Sequence, residues 1–255
     1  MSPVIASARD GDVAVVTLNR TQARNSLGVA EMEQLGAVFE AAERDGARCI
    51  LVHGAGGAFC AGRDLKDTKP GGEDTYDIVH RRINPALKRV RECGIPTVAA
   101  VQGPALGFGF GLAMACDLVI AADDALLGSP FRNIGLILDS GGHFALRERV
   151  GRHLAAEIIF LGKLLSGREA ARLGIVNRSV AGLDLLAIAA DVAKKIASGP
   201  TEAFRASKKI LRDAGGWDDL AELEAVHQAR LMDTRDAREG IEAFTAKRKP
   251  SFEGH

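Results

Sequence analysis

Apolar residues in the first half of the chain form short continuous runs that alternate with longer stretches at helical spacing. The short runs predict buried strands at residues 13–19, 49–53, 97–101 and 118–122. Helical spacing predicts helices at residues 29–43 and 76–92. Strands and helices in this order are typical of an α/β fold with helical crossovers, in which ligands gather at the loops that follow the strands.

The second half of the chain has a predominantly helical pattern. The predicted helices cover residues 142–150, 153–161, 183–197, 201–214, 218–232 and 236–247, with a short strand at 177–180. Ser166, with Glu169 three residues later, has the form of a capping box. Gly199 and Pro200 interrupt the helical pattern, and we place a boundary there between a core, residues 1–198, and a helical C-terminal region, residues 199–255. The apolar faces of that region need a neighbour to cover them, and we expect it to make oligomer contacts.

Composition and charge remove several classes of function. The 33 basic residues balance the 33 acidic ones and no basic block stands out, so nucleic acid is not an expected partner. The cysteines lie far apart without a C-x-x-C pair, so neither a metal site nor a disulfide framework is predicted. The first twenty residues lack the apolar run of a secretory signal, and a cytoplasmic protein is expected.

Residues 95–116 carry no charge and are about as long as a membrane span. Pro96, Pro104 and four glycines interrupt this stretch, which favours a buried strand, a loop and a helix. No membrane association is therefore predicted.

Two loops rich in glycine follow predicted strands. Residues 56–65 (GGAFCAGRDL) are either an ordinary tight connection or a loop whose free N–H groups bind a developing negative oxygen. Residues 101–111 (VQGPALGFGFG) have glycines spaced G-x-G-x-G, whereas a dinucleotide fingerprint requires G-x-G-x-x-G. This spacing disfavours a nicotinamide dehydrogenase. The alternative is that an N–H group at the head of the following helix is a second oxyanion donor.

A single carboxylate, Asp139, lies in the apolar run at residues 134–142 (IGLILDSGG). It is either the N-cap of the helix that follows, or a group whose pKa is raised by an apolar pocket so that it can take up and return a proton.

Together these segments resemble the crotonase (enoyl-CoA hydratase/isomerase) superfamily. The stretches AFCAGRDL, residues 58–65, and VQGPALGFGFGLAMACD, residues 101–117, are similar to its two characteristic loops, and the resemblance runs from about residue 4 to residue 252. It implies an α/β fold, a spiral of ββα units with a helical C-terminal region, assembled as a homotrimer or a dimer of trimers. It also implies an acyl-CoA substrate with no separate cofactor, because coenzyme A is part of the substrate. The oxyanion hole would be the backbone N–H groups of Arg63 and Phe108.

The chain departs from a typical enoyl-CoA hydratase at two positions. The two hydratase glutamates would align with Gly111 and Phe131, neither of which can transfer a proton. Asp139 looks like the aspartate of dienoyl-CoA isomerases and of the ring-epoxide isomerase of phenylacetate breakdown, where it moves protons, and of the chlorobenzoyl-CoA dehalogenase, where it is a nucleophile. The resemblance therefore implies a carboxylate at this position and leaves both roles open. Of these, the ring-epoxide isomerase is most similar, through FCAGRDLKD, INPALKRV, GLILDSGG and AKRKPSFEG. We therefore prefer an isomerase to a hydratase, and a non-catalytic acyl-CoA binder remains an alternative.

The resemblance also assigns binding residues. CoA contacts would come from Arg24, Ala61 and Asp64, and from Phe244 and Lys247 of a neighbouring subunit. Phe131 and Ile134 would line the acyl pocket, together with the charged loop at residues 66–74, which is predicted to be mobile. Ordinary surface or packing roles are equally compatible with Arg24, Phe244 and Lys247. His143 is a further pocket candidate, although a single histidine at the start of a helix is more often structural or exposed.

Overall fold

The computed structural model describes residues 3–66, 68 and 71–255. The strands are β1 (Ile5–Asp10), β2 (Val13–Leu18), β3 (Cys49–Gly54), β4 (Thr97–Val101), β5 (Pro104–Leu106), β6 (Leu118–Ala122), β7 (Leu126–Gly128), β8 (Leu165–Ser166) and β9 (Arg178–Val180). The helices are α1 (Val29–Arg44), α2 (Thr75–Asp77), α3 (Asn84–Glu92), α4 (Phe108–Ala115), α5 (Gly142–Leu161), α6 (Gly167–Arg172), α7 (Leu185–Ala197), α8 (Thr201–Asp213), α9 (Trp217–Leu231) and α10 (Arg235–Thr245).

The strands form two sheets. The larger has the order β1-β2-β3-β4-β6-β9, in which β1 is antiparallel to β2 and the other neighbours are parallel. Strand β4 is buried along its whole length, as expected for a central parallel strand covered on both faces. The smaller sheet has the order β5-β7-β8, and β5 comes shortly after β4 in the chain. The chain thus passes from the larger sheet to the smaller one at Gln102 and Gly103, shortly before α4 begins.

The strands predicted from apolar runs are confirmed, and β4 and β6 have the predicted bounds. The sequence reading missed β1, β5, β7 and β8. The last three are only two or three residues long, too short for a period of two to be recognised. The helix predicted at residues 76–92 is instead α2, a π-helical segment Ile78–Ile83, and α3.

Helix α5 bends at Gly151, whose φ of 70° and ψ of 172° are not helical. Since such angles are accessible almost only to glycine, the chain forms two helices at this point, as the pattern predicted. The capping box is also confirmed. The Ser166 side chain accepts from the Glu169 N–H at the start of α6, and the Glu169 carboxylate accepts from the Ser166 N–H.

The uncharged stretch at residues 95–116 folds as β4, β5 and α4, as the interrupted pattern indicated. In the described part of the chain no helix is both long and apolar enough to cross a membrane. Of the loop predicted to be mobile, Asp67, Lys69 and Pro70 lie outside the described residues.

Candidate active site

The two glycine-rich loops lie against each other through backbone hydrogen bonds. The Phe59 N–H donates to Gln102 O (2.7 Å), the Cys60 N–H donates to Pro104 O (3.0 Å), and the Leu106 N–H donates to Cys60 O (2.9 Å). The Cys60 thiol is not a nucleophile here, since burial raises its pKa to about 12. The first loop is therefore held in register with the turn that leads into α4.

This pairing brings together the two backbone donors that the sequence indicated. The Leu27 N–H donates to Gly62 O, and the Asp64 N–H donates to Leu27 O. Because neighbouring N–H groups of an extended segment alternate in direction, the intervening Arg63 N–H points to the other side of the loop. A Cβ atom added at Gly62 would lie 3.8 Å from Phe108 N, which puts the two loops in contact just before Arg63. Phe108 is the first residue of α4, where N–H groups have no partner within the helix. Neither N–H has an acceptor among the described residues.

Phe131 lies beside these donors. A Cβ atom added at Gly107 would lie 2.9 Å from Phe131 Cζ, so the ring contacts the backbone immediately before Phe108. Gly107 has φ +54°, a conformation that favours glycine. The structure therefore places an apolar ring next to the candidate oxyanion donors.

Asp139 does not cap the helix that follows it. Helix α5 begins at Gly142, and its N-cap, Gly141, makes no side-chain cap bond. The Asp139 main-chain oxygen accepts from the Gly142 N–H (3.0 Å), while Asp139 Oδ1 accepts from Ser140 Oγ (2.9 Å). The N-cap interpretation is wrong, and the carboxylate is held by a turn outside the helix.

The environment of Asp139 favours a proton-transfer role. Burial raises the pKa of the Asp139 carboxyl above its ordinary value, and the Ser140 hydrogen bond and the charge of Arg63 oppose that rise without cancelling it. A raised pKa brings a carboxyl closer to the range in which it can both accept and donate a proton.

Gly111 and the turn at Ser140 are complementary in shape. A Cβ atom added at Gly111 would lie 2.6 Å from Ser140 Cβ and would overlap the Ser140 carbonyl oxygen. The Asp139–Ser140 turn thus occupies the space that a side chain at residue 111 would need. Helix α4 can carry a glutamate at that position only if the turn moves.

The Arg63 side chain makes an ion pair that does not involve its backbone N–H. Its Nη2 atom lies 3.0 Å from both carboxylate oxygens of Glu73, and the two side chains are only 18% and 19% exposed. This ion pair connects the first loop to the segment before α2, and it places a cation close enough to Asp139 to influence its pKa.

Three predicted CoA contacts lie together. The Ala61 N–H donates to Arg24 O (2.9 Å), and Arg24 has φ +50°. Asp64 follows in the same loop, where its carboxylate accepts from the Lys66 N–H and pairs with Arg20 Nη2 (2.8 Å). These two interactions lower the Asp64 pKa, in that order of size. Asp64 is thus an ionised group with partners already in place.

The remaining predicted site residues are exposed. Phe244 in α10 is 86% exposed and Ile134 is 54% exposed, and His143 and Lys247 are exposed as well. No hydrogen bond or ion pair within the described ranges joins Phe244 or Lys247 to the two loops. Their roles at the CoA of a neighbouring subunit, and that of Ile134 in the acyl pocket, stay predictions.

Sequence reasoning missed three residues that shape this site. Asn25 is fully buried, with its side chain donating to Ala55 O (2.9 Å) and Ala58 O (2.7 Å), and so fixes the first loop. Ser140 binds Asp139, and Glu73 binds Arg63. The adjacency of Ser140 to the single carboxylate was a usable signal. The other two act across about ten to thirty residues of sequence, where no local pattern marks them.

The loops, the paired donors and the two-sheet fold define the crotonase class, and comparison with known proteins agrees. The chain belongs to the enoyl-CoA hydratase/isomerase family, whose sequence model matches residues 8–255. The crystal structure of an enoyl-CoA hydratase from Bacillus anthracis superimposes with a TM-score of 0.92 at 31% identity, covering 99% of this chain and 100% of the other. The protein is therefore an acyl-CoA enzyme of this family with an α/β crotonase fold, two sheets and C-terminal helices.

The names of individual relatives are mixed. A probable enoyl-CoA hydratase of Rhodobacter capsulatus is 37% identical over 245 residues, covering 95% of each chain. A 1,2-epoxyphenylacetyl-CoA isomerase of Escherichia coli is 36% identical over 261 residues, covering all of each chain. The ring-epoxide isomerase resemblance is thus one among several of similar strength.

Proposed function

We propose that the protein is an acyl-CoA isomerase that shifts a double bond in an enoyl-CoA thioester, with Asp139 as its acid and base. The observation that carries this proposal is the half-buried Asp139 carboxylate, whose supporting turn fills the space beside Gly111. A hydratase must position water between two carboxylates, and neither Gly111 nor Phe131 supplies a carboxylate.

The first step is removal of a proton from C2 of a 3-enoyl-CoA. Negative charge then develops on the thioester oxygen, where the N–H groups of Arg63 and Phe108 stabilise it as a dienolate. Two preorganised donors contribute roughly 3 kcal/mol each to transition-state stabilisation. The positive end of the α4 dipole adds to the effect, because Phe108 is the first residue of that helix.

The second step returns a proton to C4, giving the conjugated 2-enoyl-CoA. Asp139 is the acid in this step because it carries the proton just removed. Its raised pKa makes that return easier than it would be for an exposed aspartate. The Phe131 ring beside Gly107 gives the two oxyanion donors an apolar neighbour.

We also propose rearrangement of a ring epoxide as a second reaction of the same site. It would use the same oxyanion donors and the same aspartate, and the full-length similarity to the Escherichia coli epoxide isomerase supports including that substrate. The mixed names of the relatives equally support testing hydration. We further propose that Arg24, Ala61 and Asp64 contact the CoA of the bound substrate, since Arg24 O bonds the Ala61 N–H and Asp64 follows in the same loop.

The test is a coupled assay of wild type and Asp139→Asn with 3-enoyl-, 2-enoyl- and ring-epoxide phenylacetyl-CoA substrates, with double-bond shift and hydration recorded separately. We expect the shift to fall at least about a hundredfold in Asp139→Asn, with CoA binding retained. The control is Asp124→Asn, which changes an exposed aspartate just after β6. Full activity in Asp139→Asn would contradict the proposal. Ligand binding without turnover in wild type would favour a non-catalytic acyl-CoA binder.

A further inference from the structure

Ser140 is the one side chain in the described part of the chain that binds the Asp139 carboxylate. We propose that Ser140 is a positioning residue, whose hydroxyl holds Asp139 Oδ1 and thereby leaves Oδ2 as the oxygen that exchanges protons with the substrate. This inference rests on the proposed function, and it adds which oxygen of Asp139 reacts.

The hydrogen bond has a defined direction. An ionised carboxylate only accepts, so the hydroxyl hydrogen of Ser140 must point at Oδ1, 2.9 Å from Oγ. Ser140 is 4% exposed, so water does not compete freely for this hydroxyl. The bond persists in both protonation states of Asp139 if the proton is carried on Oδ2. The same oxygen can then remove and return it without rotation of the carboxyl group.

The backbone of Ser140 indicates that its side chain is needed. Ser140 has φ +55°, a left-handed conformation that residues other than glycine and asparagine seldom adopt. Glycines occupy the next two positions, and Gly141 also has a positive φ. A third glycine at residue 140 would fit this turn with less strain, but it would leave the buried carboxylate without its donor.

The neighbouring helix fixes where this serine lies. Gly111 in α4 approaches Ser140 so closely that an added Cβ would lie 2.6 Å from Ser140 Cβ. The turn therefore packs directly on the helix whose first residue, Phe108, supplies an oxyanion donor. The distance between Oδ2 of Asp139 and the oxyanion donors is set by this contact together with the Ser140 hydrogen bond.

The experiment compares Ser140→Ala, Ser140→Gly and Asp139→Asn with wild type. Ser140→Ala removes the hydroxyl and keeps the strained backbone, whereas Ser140→Gly removes the hydroxyl and relieves the strain. We expect kcat to fall by about 10-fold or more in both Ser140 variants, since a hydrogen bond to a charged group is lost. The acid limb of the pH profile should move to higher pH in both, because the lost bond favoured the ionised carboxylate.

A matched control is Ser166→Ala. Ser166 also donates to a carboxylate, Glu169 Oε2 (2.8 Å), but at the start of α6. Its loss weakens that helix cap and should leave the pH profile unchanged.

A titration of the Asp139 carboxyl by ¹³C NMR gives a readout that needs no turnover. We expect Ser140→Ala to raise the pKa of Asp139 relative to wild type. The positioning role is contradicted if that pKa is unchanged, or if Ser140→Gly keeps the wild-type kcat and pH profile while Asp139→Asn is inactive. Full activity in Asp139→Asn would instead contradict the proposed function.

Discussion

Two aspartates of this chain show how local environment sets the properties of a carboxyl group. The pKa of Asp64 is lowered by the Lys66 N–H and by Arg20, so Asp64 is ionised and its partners stabilise the fold. The pKa of Asp139 is raised because burial disfavours its charged form. A carboxyl group whose pKa is raised by burial lowers the stability of the folded state at neutral pH, and such groups are typical of functional sites.

We predict that Asp139→Asn is more stable than wild type at neutral pH. With a folded pKa above the unfolded one, the native state binds the extra proton, so wild type loses stability as pH rises between the two pKa values. Asparagine removes this loss while still accepting the Ser140 hydrogen bond. Urea unfolding should therefore show a higher midpoint for the variant at about pH 7, and a smaller difference at about pH 3.

The control for this prediction is Asp64→Asn, which should have the opposite sign. The lowered pKa of Asp64 gives stability that is present above the unfolded pKa and is lost as pH falls through the folded value. A lower midpoint for Asp139→Asn than for wild type at about pH 7 would contradict the assigned environment.

At the level of single residues, the sequence alone singled out the candidate carboxylate but not the contacts that support it. Asp139 was visible because it is the one carboxylate in an apolar run. The left-handed backbone of Ser140 and the buried side chain of Asn25 depend on tertiary contacts with α4 and with the first loop. Contacts of that kind leave no periodic signal.

At the scale of elements, the site depends on how closely the second loop and α4 approach their neighbours. Gly109 approaches the Cys60 backbone and Gly111 approaches the Ser140 turn. The glycines were recognised in the sequence as a turn signal. Their second role, as points of close approach along a helix, required knowledge of what packs on α4.

We predict that Gly111→Ala destabilises the protein by about 1 to 3 kcal/mol, because the added methyl group overlaps Ser140. It should also lower isomerase activity, since the turn that carries Asp139 must move. Urea unfolding and the enoyl-CoA assay measure the two effects. The control is Gly216→Ala at the N-cap of α9, where an added Cβ meets no atom within 4 Å. Equal behaviour of the two variants would refute the packing argument.

At the scale of the whole molecule, Arg48 connects the larger sheet to the C-terminal region. Its guanidinium donates to Thr201 Oγ1 (2.9 Å), to Gly199 O (2.6 Å) and to Phe252 O (3.0 Å), and its side chain is 13% exposed. Asp236 holds the same tail by accepting from the Glu253 and Gly254 N–H groups. The predicted boundary at Gly199 thus lies where hydrogen bonds from Arg48 join the core to the C-terminal region.

We predict that Arg48→Ala destabilises the protein by about 3 kcal/mol, because its carbonyl and hydroxyl partners lose their donor. Hydrogen exchange should become faster in residues 235–255, with little change in β2 to β4. Arg44→Ala is the control, since Arg44 is exposed at the end of α1 and makes no ion pair with the described residues. Unchanged exchange in the tail of Arg48→Ala would contradict this account.

The C-terminal region also bears on the oligomeric state. We propose a homotrimer or a dimer of trimers, in which α9, with no buried residue in one chain, gains a covering neighbour. Light scattering would give three or six times the chain mass of 26.9 kDa.

In the proposed mechanism one carboxylate, that of Asp139, both removes and returns the proton. The most direct test is isomerisation in H₂O of 3-enoyl-CoA substrates that carry deuterium stereospecifically at C2, with the deuterium content and configuration at C4 of the product read by NMR. Asp139 reaches one face of the dienolate and carries what it has removed, so we predict that the deuterium taken from C2 appears at C4 on the same face. Delivery to the opposite face would require a second acid and would contradict the single-carboxylate mechanism.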